Sequence, residues 1–168
     1  MIKNNWSGFL IDLHHKENLL FKRLLSFFFP KSKINVITEK ITKNNINSIL
    51  QNNIGNSEID FFSLDIDSND YWVLKNTNLH NIKCICLEYN HWIGKNAKKS
   101  VPYNENFEFV DNGFFGASLL AFHDMLKLKN FDLIAVESSG TNAFFINKRF
   151  SHLFEILDPI KSFKSNPY

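Results

Sequence analysis

Cysteine is nearly absent from this chain. The two present, Cys84 and Cys86, stand one residue apart in an apolar run, so both would project from the same face of a strand. A disulfide between such neighbours is geometrically poor. This argues against a disulfide-stapled fold and for a reduced, cytoplasmic setting. A surplus of one charge is also missing. Nineteen Lys and Arg face seventeen Asp and Glu, a formal net charge of +2, which is too balanced for nucleic acid or a membrane surface to be the main partner. No apolar run reaches the roughly 18 to 20 residues of a membrane span. The opening residues, Met1 to Trp6, have no apolar segment of the kind a secretion signal needs. Internal repeats, linkers and a second domain are not visible either, and 168 residues suit one domain.

What is abundant is apolar bulk. Hydrophobic residues make up 44% of the chain and Phe occurs 18 times, so a core packed around Phe rather than Leu is expected. Phe9 to Asp12 predicts a short buried strand ending in an acid. From Lys16 to Phe29, Leu20, Leu24, Phe27 and Phe28 recur near helical spacing and Pro30 follows, which predicts an amphipathic helix. Ile34 to Thr38 predicts a second strand. Thr42 is a candidate cap for a helix carrying Ile46, Ile49 and Leu50 and broken at Gly55-Asn56. A strand over Ile59 to Ile66 runs into Asp65-Ile66-Asp67, and Ser68-Asn69-Asp70 opens a helix bearing Trp72, Val73 and Leu74.

Ile82 to Tyr89 predicts another buried strand. The irregular stretch that follows, from about Asn90 to Gly113, has the length of a lid or binding loop. Ala117 to Lys129 predicts a helix with Leu119, Phe122, Met125 and Leu126 facing inward. Phe131 to Glu137 and Asn142 to Asn147 predict a hairpin, and Arg149 to Leu157 a helix. Residues 1–158 then form one partial domain and 159–168 a polar tail. Strands alternating with helices predict parallel βαβ units, closed by an antiparallel edge.

In an open parallel sheet, ligands bind beyond the carboxyl ends of the strands. Those ends carry Asp12, Glu39, the pair Asp65 and Asp67, and then Glu88 and Asn90. Asp12 is a candidate for ribose hydroxyls, with a helix cap as the plainer alternative. Glu39 could meet adenine or ribose, though a solvated loop acid is the simpler reading. Asp65 and Asp67, two apart, would share a strand face. Two carboxylates so close require a proton or a cation. Glu88 and Asn90 at the next strand end would complete, with this pair, an oxygen-only site suited to magnesium or calcium. The alternative is that Asp67 and Asp70 cap the next helix. His91, directly after Asn90, is a candidate general base, and an exposed loop histidine is the commoner case.

Four stretches together carry a resemblance. Ser63-Leu64-Asp65-Ile66-Asp67-Ser68-Asn69-Asp70-Tyr71-Trp72 resembles the S-I-D-I-D-G-N-D-Y-W stretch of a methyltransferase-like group related to the FkbM type. Leu87-Glu88-Tyr89-Asn90, Phe115-Gly116-Ala117-Ser118-Leu119 and Asn142-Ala143-Phe144-Phe145 resemble its I-E-Y-N, F-G-A-S-L and N-A-F-F in the same order. Trp6-Ser7-Gly8-Phe9-Leu10-Ile11-Asp12 is similar to its entry into the second strand, W-x-G-x-x-I-D. The resemblance covers about Trp6 to Phe150.

It implies an α/β fold with a Rossmann-like class I methyltransferase sheet, mostly parallel and ending in an antiparallel hairpin. The implied activity is S-adenosylmethionine-dependent methyl transfer, to an oxygen of a small metabolite or sugar. Asp12 and Glu39 would then face the cofactor. Asp65 and Asp67 would lie near the transferred methyl, Asp65 also touching the cofactor, and Asp67, Glu88 and Asn90 would hold a magnesium ion. The group has Gly where this chain has Ser68.

The group's first strand and glycine-rich turn should precede Trp6 by a few tens of residues, whereas five residues precede it, none of them Gly. The expectation is therefore a sheet lacking its first, central strand, inactive alone or completed by a second chain. Two other readings stand beside it. One takes Asp65-Ile66-Asp67 as the D-x-D of a nucleotide-sugar glycosyltransferase holding manganese. The other is a degenerate, non-catalytic scaffold.

Overall fold

Alternating strand and helix patterns dictate the element order of the computed structural model, which describes residues 6–31, 33–107, 110 and 113–165. The protein is α/β, with sheets of mixed parallel and antiparallel strands. Residues 1–41 and 42–168 form two compact units.

The first unit holds β1 (Ser7–Asp12), α1 (His15–Phe28) and β2 (Lys33–Thr38). This is a single βαβ unit whose strands pair in parallel, from Ser7 opposite Lys33 to Asp12 opposite Thr38. Its apolar burial is small. Among the described residues only Leu25 and Val36 are buried hydrophobics. A polar clasp compensates. Asn18, 6% exposed, donates through Nδ2 to the Asp12 carbonyl at 3.0 Å, to Thr38 Oγ1 at 3.0 Å and to the Ile37 carbonyl at 3.5 Å. It ties the crossover helix to both strand ends. Replacing Asn18 with Ala is expected to cost about 0.5–1.5 kcal/mol, because these part-buried bonds are lost while their acceptors can turn to water. Hydrogen exchange should speed up across β1 and β2 and stay unchanged in 42–168. Uniform protection in the variant would contradict this role.

The second unit runs α2 (Ile46–Ile54), β3 (Ile59–Leu64), α3 (Asp70–Asn76), β4 (Ile82–Glu88), α4 (Leu119–Leu128), β5 (Phe131–Val136), β6 (Asn142–Asn147) and α5 (Pro159–Ser162). Its four-stranded sheet has the order β3-β4-β6-β5. β3 and β4 are parallel, and β6 runs antiparallel to both its neighbours. β1 and β3 thus each have one hydrogen-bonded partner strand among the described residues. Ser118 caps α4, its Oγ accepting from Ala121 N–H at 3.2 Å. α4 buries Leu119, Phe122, Met125 and Leu126, as its periodicity predicts.

Several expectations require correction. Leu and Ile, rather than Phe, dominate the fully buried side chains, which include Leu74, Leu87, Leu119, Leu126, Leu133, Ile82 and Ile85 but only Phe122, Phe131 and Phe145 among the phenylalanines. Inward positions of a pleated, helix-covered sheet favour branched aliphatics that interdigitate. Phe27, Phe28, Phe114 and Phe154 are exposed instead. The third strand ends at Leu64, so Asp65 and Asp67 lie on the loop after it. The expected helix over 149–157 is a 3-10 turn over Lys148–Leu153. Thr42 does not cap α2 directly. Its Oγ1 accepts from Asn44 and Asn45 N–H in the turn that leads into the helix. The C-terminal segment packs rather than trailing off. Asp158 caps α5 by accepting from Ile160 and Lys161 N–H, and Tyr89 Oη donates to the Lys164 carbonyl at 2.6 Å. Residues 166–168 of the expected tail lie outside the described residues. The two cysteines are free thiols, and burial pushes both pKa values up.

Candidate metal-binding site

Parallel pairing of β3 with β4 sets Leu64 opposite Leu87. The next residue in each case is an acid, so Asp65, just past the end of β3, and Glu88, the last residue of β4, stand side by side. The loop then brings in Asp67. Its backbone has φ +54°, the left-handed region that Asp tolerates better than most residues. The three carboxylates each offer an oxygen within 4.8 Å of the others. Asp65 and Asp67 therefore meet through a turn rather than through a shared strand face. Ser68, where the resembled stretch has Gly, does not have a positive φ, so the substitution asks no unusual conformation of it.

Asp70 holds this turn. It is 3% exposed and accepts from Ile66 N–H at 2.9 Å and Ser68 N–H at 3.0 Å. Burial pushes its pKa up to about 6, against the lowering effect of those two bonds. Burial, and then the neighbouring charges of Asp65, Asp67 and Asp70, push Glu88 up to about 7. Burial followed by the Asp67 charge also raises Asp65. The carboxyls of Asp65 and Glu88 hydrogen-bond to each other, lowering Asp65 and raising Glu88. A site whose ionisation is opposed by burial and by neighbouring carboxylates is one that a divalent cation would relieve.

Asn90 is engaged elsewhere. Its buried Nδ2 donates to the Gly113 and Phe115 carbonyls at 2.8 and 2.9 Å, and its Oδ1 accepts from Trp92 N–H at 3.0 Å. It staples the long loop instead of facing the acids. Asn69 does the same from the other side, exchanging two bonds with the Asn104 backbone, and Trp72 Nε1 donates to the Val101 carbonyl at 2.7 Å. At Gly113, with φ +76°, a Cβ would lie 2.0 Å from the Trp92 ring, so only Gly fits there. Lys98 pairs with Asp124.

His91 opens a short 3-10 turn (His91–Ile93). Burial lowers its pKa, and its Nε2 is shut from solvent with no hydrogen-bond partner among the described residues. In the first unit, the exposed Asp12 accepts through Oδ1 from His14 N–H at 2.6 Å, the cap-like role weighed as its alternative. Glu39 N–H donates to the Asp12 carbonyl at 3.2 Å. An open groove of about 510 Å3, lined by Asn47, Gln51, Asn52, Asn56, Asn78 and Asn81, lies at the amino ends of β3 and β4, opposite the acids.

The sequence placed Asp65, Asp67 and Glu88 together, but it left Asp70, Asn69 and Trp72 without a site role. The one available signal was Asp70 four residues after Ile66, within reach of the preceding loop's amides. No protein-family model and no curated protein matches this chain.

Proposed function

We propose that this chain is part of an S-adenosylmethionine-dependent methyltransferase of the FkbM-related type, transferring a methyl group to an oxygen of a small metabolite or sugar. The observation that carries this reading is the convergence of Asp65, Asp67 and Glu88 at the carboxyl ends of two adjacent parallel strands. The all-oxygen donor set fits a hard divalent cation such as magnesium. Bound there, such an ion would supply positive charge that favours ionisation of an acceptor hydroxyl. The chain's own groups would do the rest. Asp65 and Asp67 accept hydrogen bonds from the acceptor and fix its angle of approach. His91, its pKa lowered by burial, serves as a base only in a form that opens its Nε2, which is shut from solvent here. Asn90 supports the reading as a loop anchor and not as a ligand.

The cofactor fits less well. Asp12 and Glu39 are suited to ribose and adenine, yet no described parallel strand is followed by a glycine turn. β1 leads to Asp12-Leu13-His14, β2 to Glu39-Lys40, β3 to Asp65-Ile66-Asp67 and β4 to Tyr89-Asn90-His91. Without Gly the backbone cannot approach a nucleotide closely. β1 and β3 each keep one edge without a strand partner, which is consistent with a second polypeptide supplying a strand and a glycine turn.

Equilibrium dialysis with labelled S-adenosylmethionine tests the reading, using the chain alone and the chain co-expressed with the product of the neighbouring upstream DNA. Retention by the complemented form and not by the chain alone is expected. Failure of both forms at millimolar ligand would overturn it. Manganese-dependent retention of a nucleotide sugar would transfer the site to the glycosyltransferase reading.

A further inference from the structure

The balanced charge of the whole chain hides an opposition between its two units. Residues 1–41 carry seven Lys and Arg against three Asp and Glu, a net of +4. Residues 42–168 carry twelve against fourteen, a net of −2. The basic excess coincides with an apolar surface. On α1, Leu20, Leu24, Phe27 and Phe28 are 58, 44, 79 and 63% exposed. They fall within about 100° of one another around the helix axis, on a different face from the buried Asn18 and Leu25. Lys16 and Arg23, seven residues apart, lie along one edge of this stripe, with the exposed Leu19 beyond them. Glu17, the single acid of the helix, falls within the angular span of the stripe at the first turn, where the helix dipole favours it.

We infer that α1 is an interfacial helix that lies on an anionic lipid bilayer, with its Leu and Phe stripe in the acyl boundary and Lys16 and Arg23 at the headgroups. An apolar stripe with cations along one edge, on a helix too short to span, is a pattern that such surfaces recognise. α1 has 14 residues, and no described helix is long and apolar enough to cross a membrane. Charge also selects lipid over a second copy of the chain. A two-fold contact through this stripe would bring Lys16 and Arg23 of both copies together, whereas anionic headgroups neutralise them. The stripe is exposed and the unit buries little apolar surface of its own, so the bilayer would supply the burial that the unit lacks.

Vesicle flotation of the full chain tests this without any substitution. The chain should float with phosphatidylcholine vesicles containing phosphatidylserine. It should stay behind with pure phosphatidylcholine, and it should be released as salt rises toward 1 M, where screening shortens to about 3 Å. Arg23→Gln should weaken binding about fivefold, the worth of one basic residue at such a surface. Phe27→Glu should abolish it, with an unchanged circular dichroism spectrum as the folding control. Failure to float with anionic vesicles at low salt would overturn the inference, as would flotation indifferent to both salt and Arg23→Gln. A dimer in sedimentation velocity that Phe27→Glu dissolves would also overturn it and assign the stripe to self-association.

Discussion

Without a divalent cation, the chain should lose stability as pH rises from 5 to 8, the reverse of ordinary acid denaturation. Glu88 titrates at about 7 in the folded chain against an ordinary 4.5, and Asp70 at about 6 against 3.8. In the window between each pair of values the folded state holds a proton that the unfolded chain has released. Stability therefore falls as pH climbs through the folded pKa values. Solvent at the partly exposed cluster screens some of the repulsion, so the loss from Glu88 is about 1–2 kcal/mol. Asp124, Glu137 and Asp158 have lowered pKa values. Their stabilising contributions are complete above their ordinary values of 3.8 to 4.5 and change only below them, outside this window. His91, lowered by burial from 6.5, gains stability as pH rises toward 6.5 and offsets part of the decline. Melting curves at pH 5, 6, 7 and 8 in chelator should show the decline. Magnesium at several times its dissociation constant should restore the loss at pH 8 by mass action. Glu88→Gln should flatten the slope near pH 7, raise the melting temperature at pH 8 and remove the magnesium response. A pH-independent melting temperature in the native sequence would contradict the electrostatic picture of the cluster.

The second large effect is expected at a residue that offers no oxygen to the cluster. Asp70→Ala leaves the amides of Ile66 and Ser68 without their acceptor and frees the turn that keeps Asp67 at positive φ. The stability cost should be about 2–4 kcal/mol, from two lost charge-assisted bonds. Magnesium affinity should fall about 10- to 100-fold, as it does when the groups that orient metal ligands are removed. Asp70→Asn keeps one acceptor and should fall between. Calorimetry on the folded variants separates the two effects. An Asp70→Ala chain that folds and binds magnesium as before would show that the turn is held by other means.

Much of the fold was legible because its signals are periodic. The apolar runs at β3 and β4 and the spacing of Leu119, Phe122, Met125 and Leu126 leave little choice. Strand ends were less legible. Asp65 and Ile66 continue an apolar alternation, and only the turn held by Asp70 shows that pairing has stopped at Leu64. That control comes from a side chain reaching back to backbone amides, which residue patterns encode weakly. The convergence of Asp65, Asp67 and Glu88 was legible from the rule that parallel strands present their carboxyl ends together. The occupation of Asn90 was not, because its partners Gly113 and Phe115 are distant in sequence. The Phe-rich composition misled about the core, since composition does not say which copies of a residue are buried. The exposed Phe27 and Phe28 are a surface feature of α1.

Calorimetric titration of magnesium near pH 7, in two buffers of different ionisation enthalpy, tests most directly whether the three carboxylates form a cation site. One saturable site is predicted, with part of a proton released per ion as Glu88 ionises, and both signals should vanish in the Asp65→Asn, Asp67→Asn, Glu88→Gln chain. Absence of saturable heat at millimolar magnesium, or equal binding by the triple variant, would contradict the account.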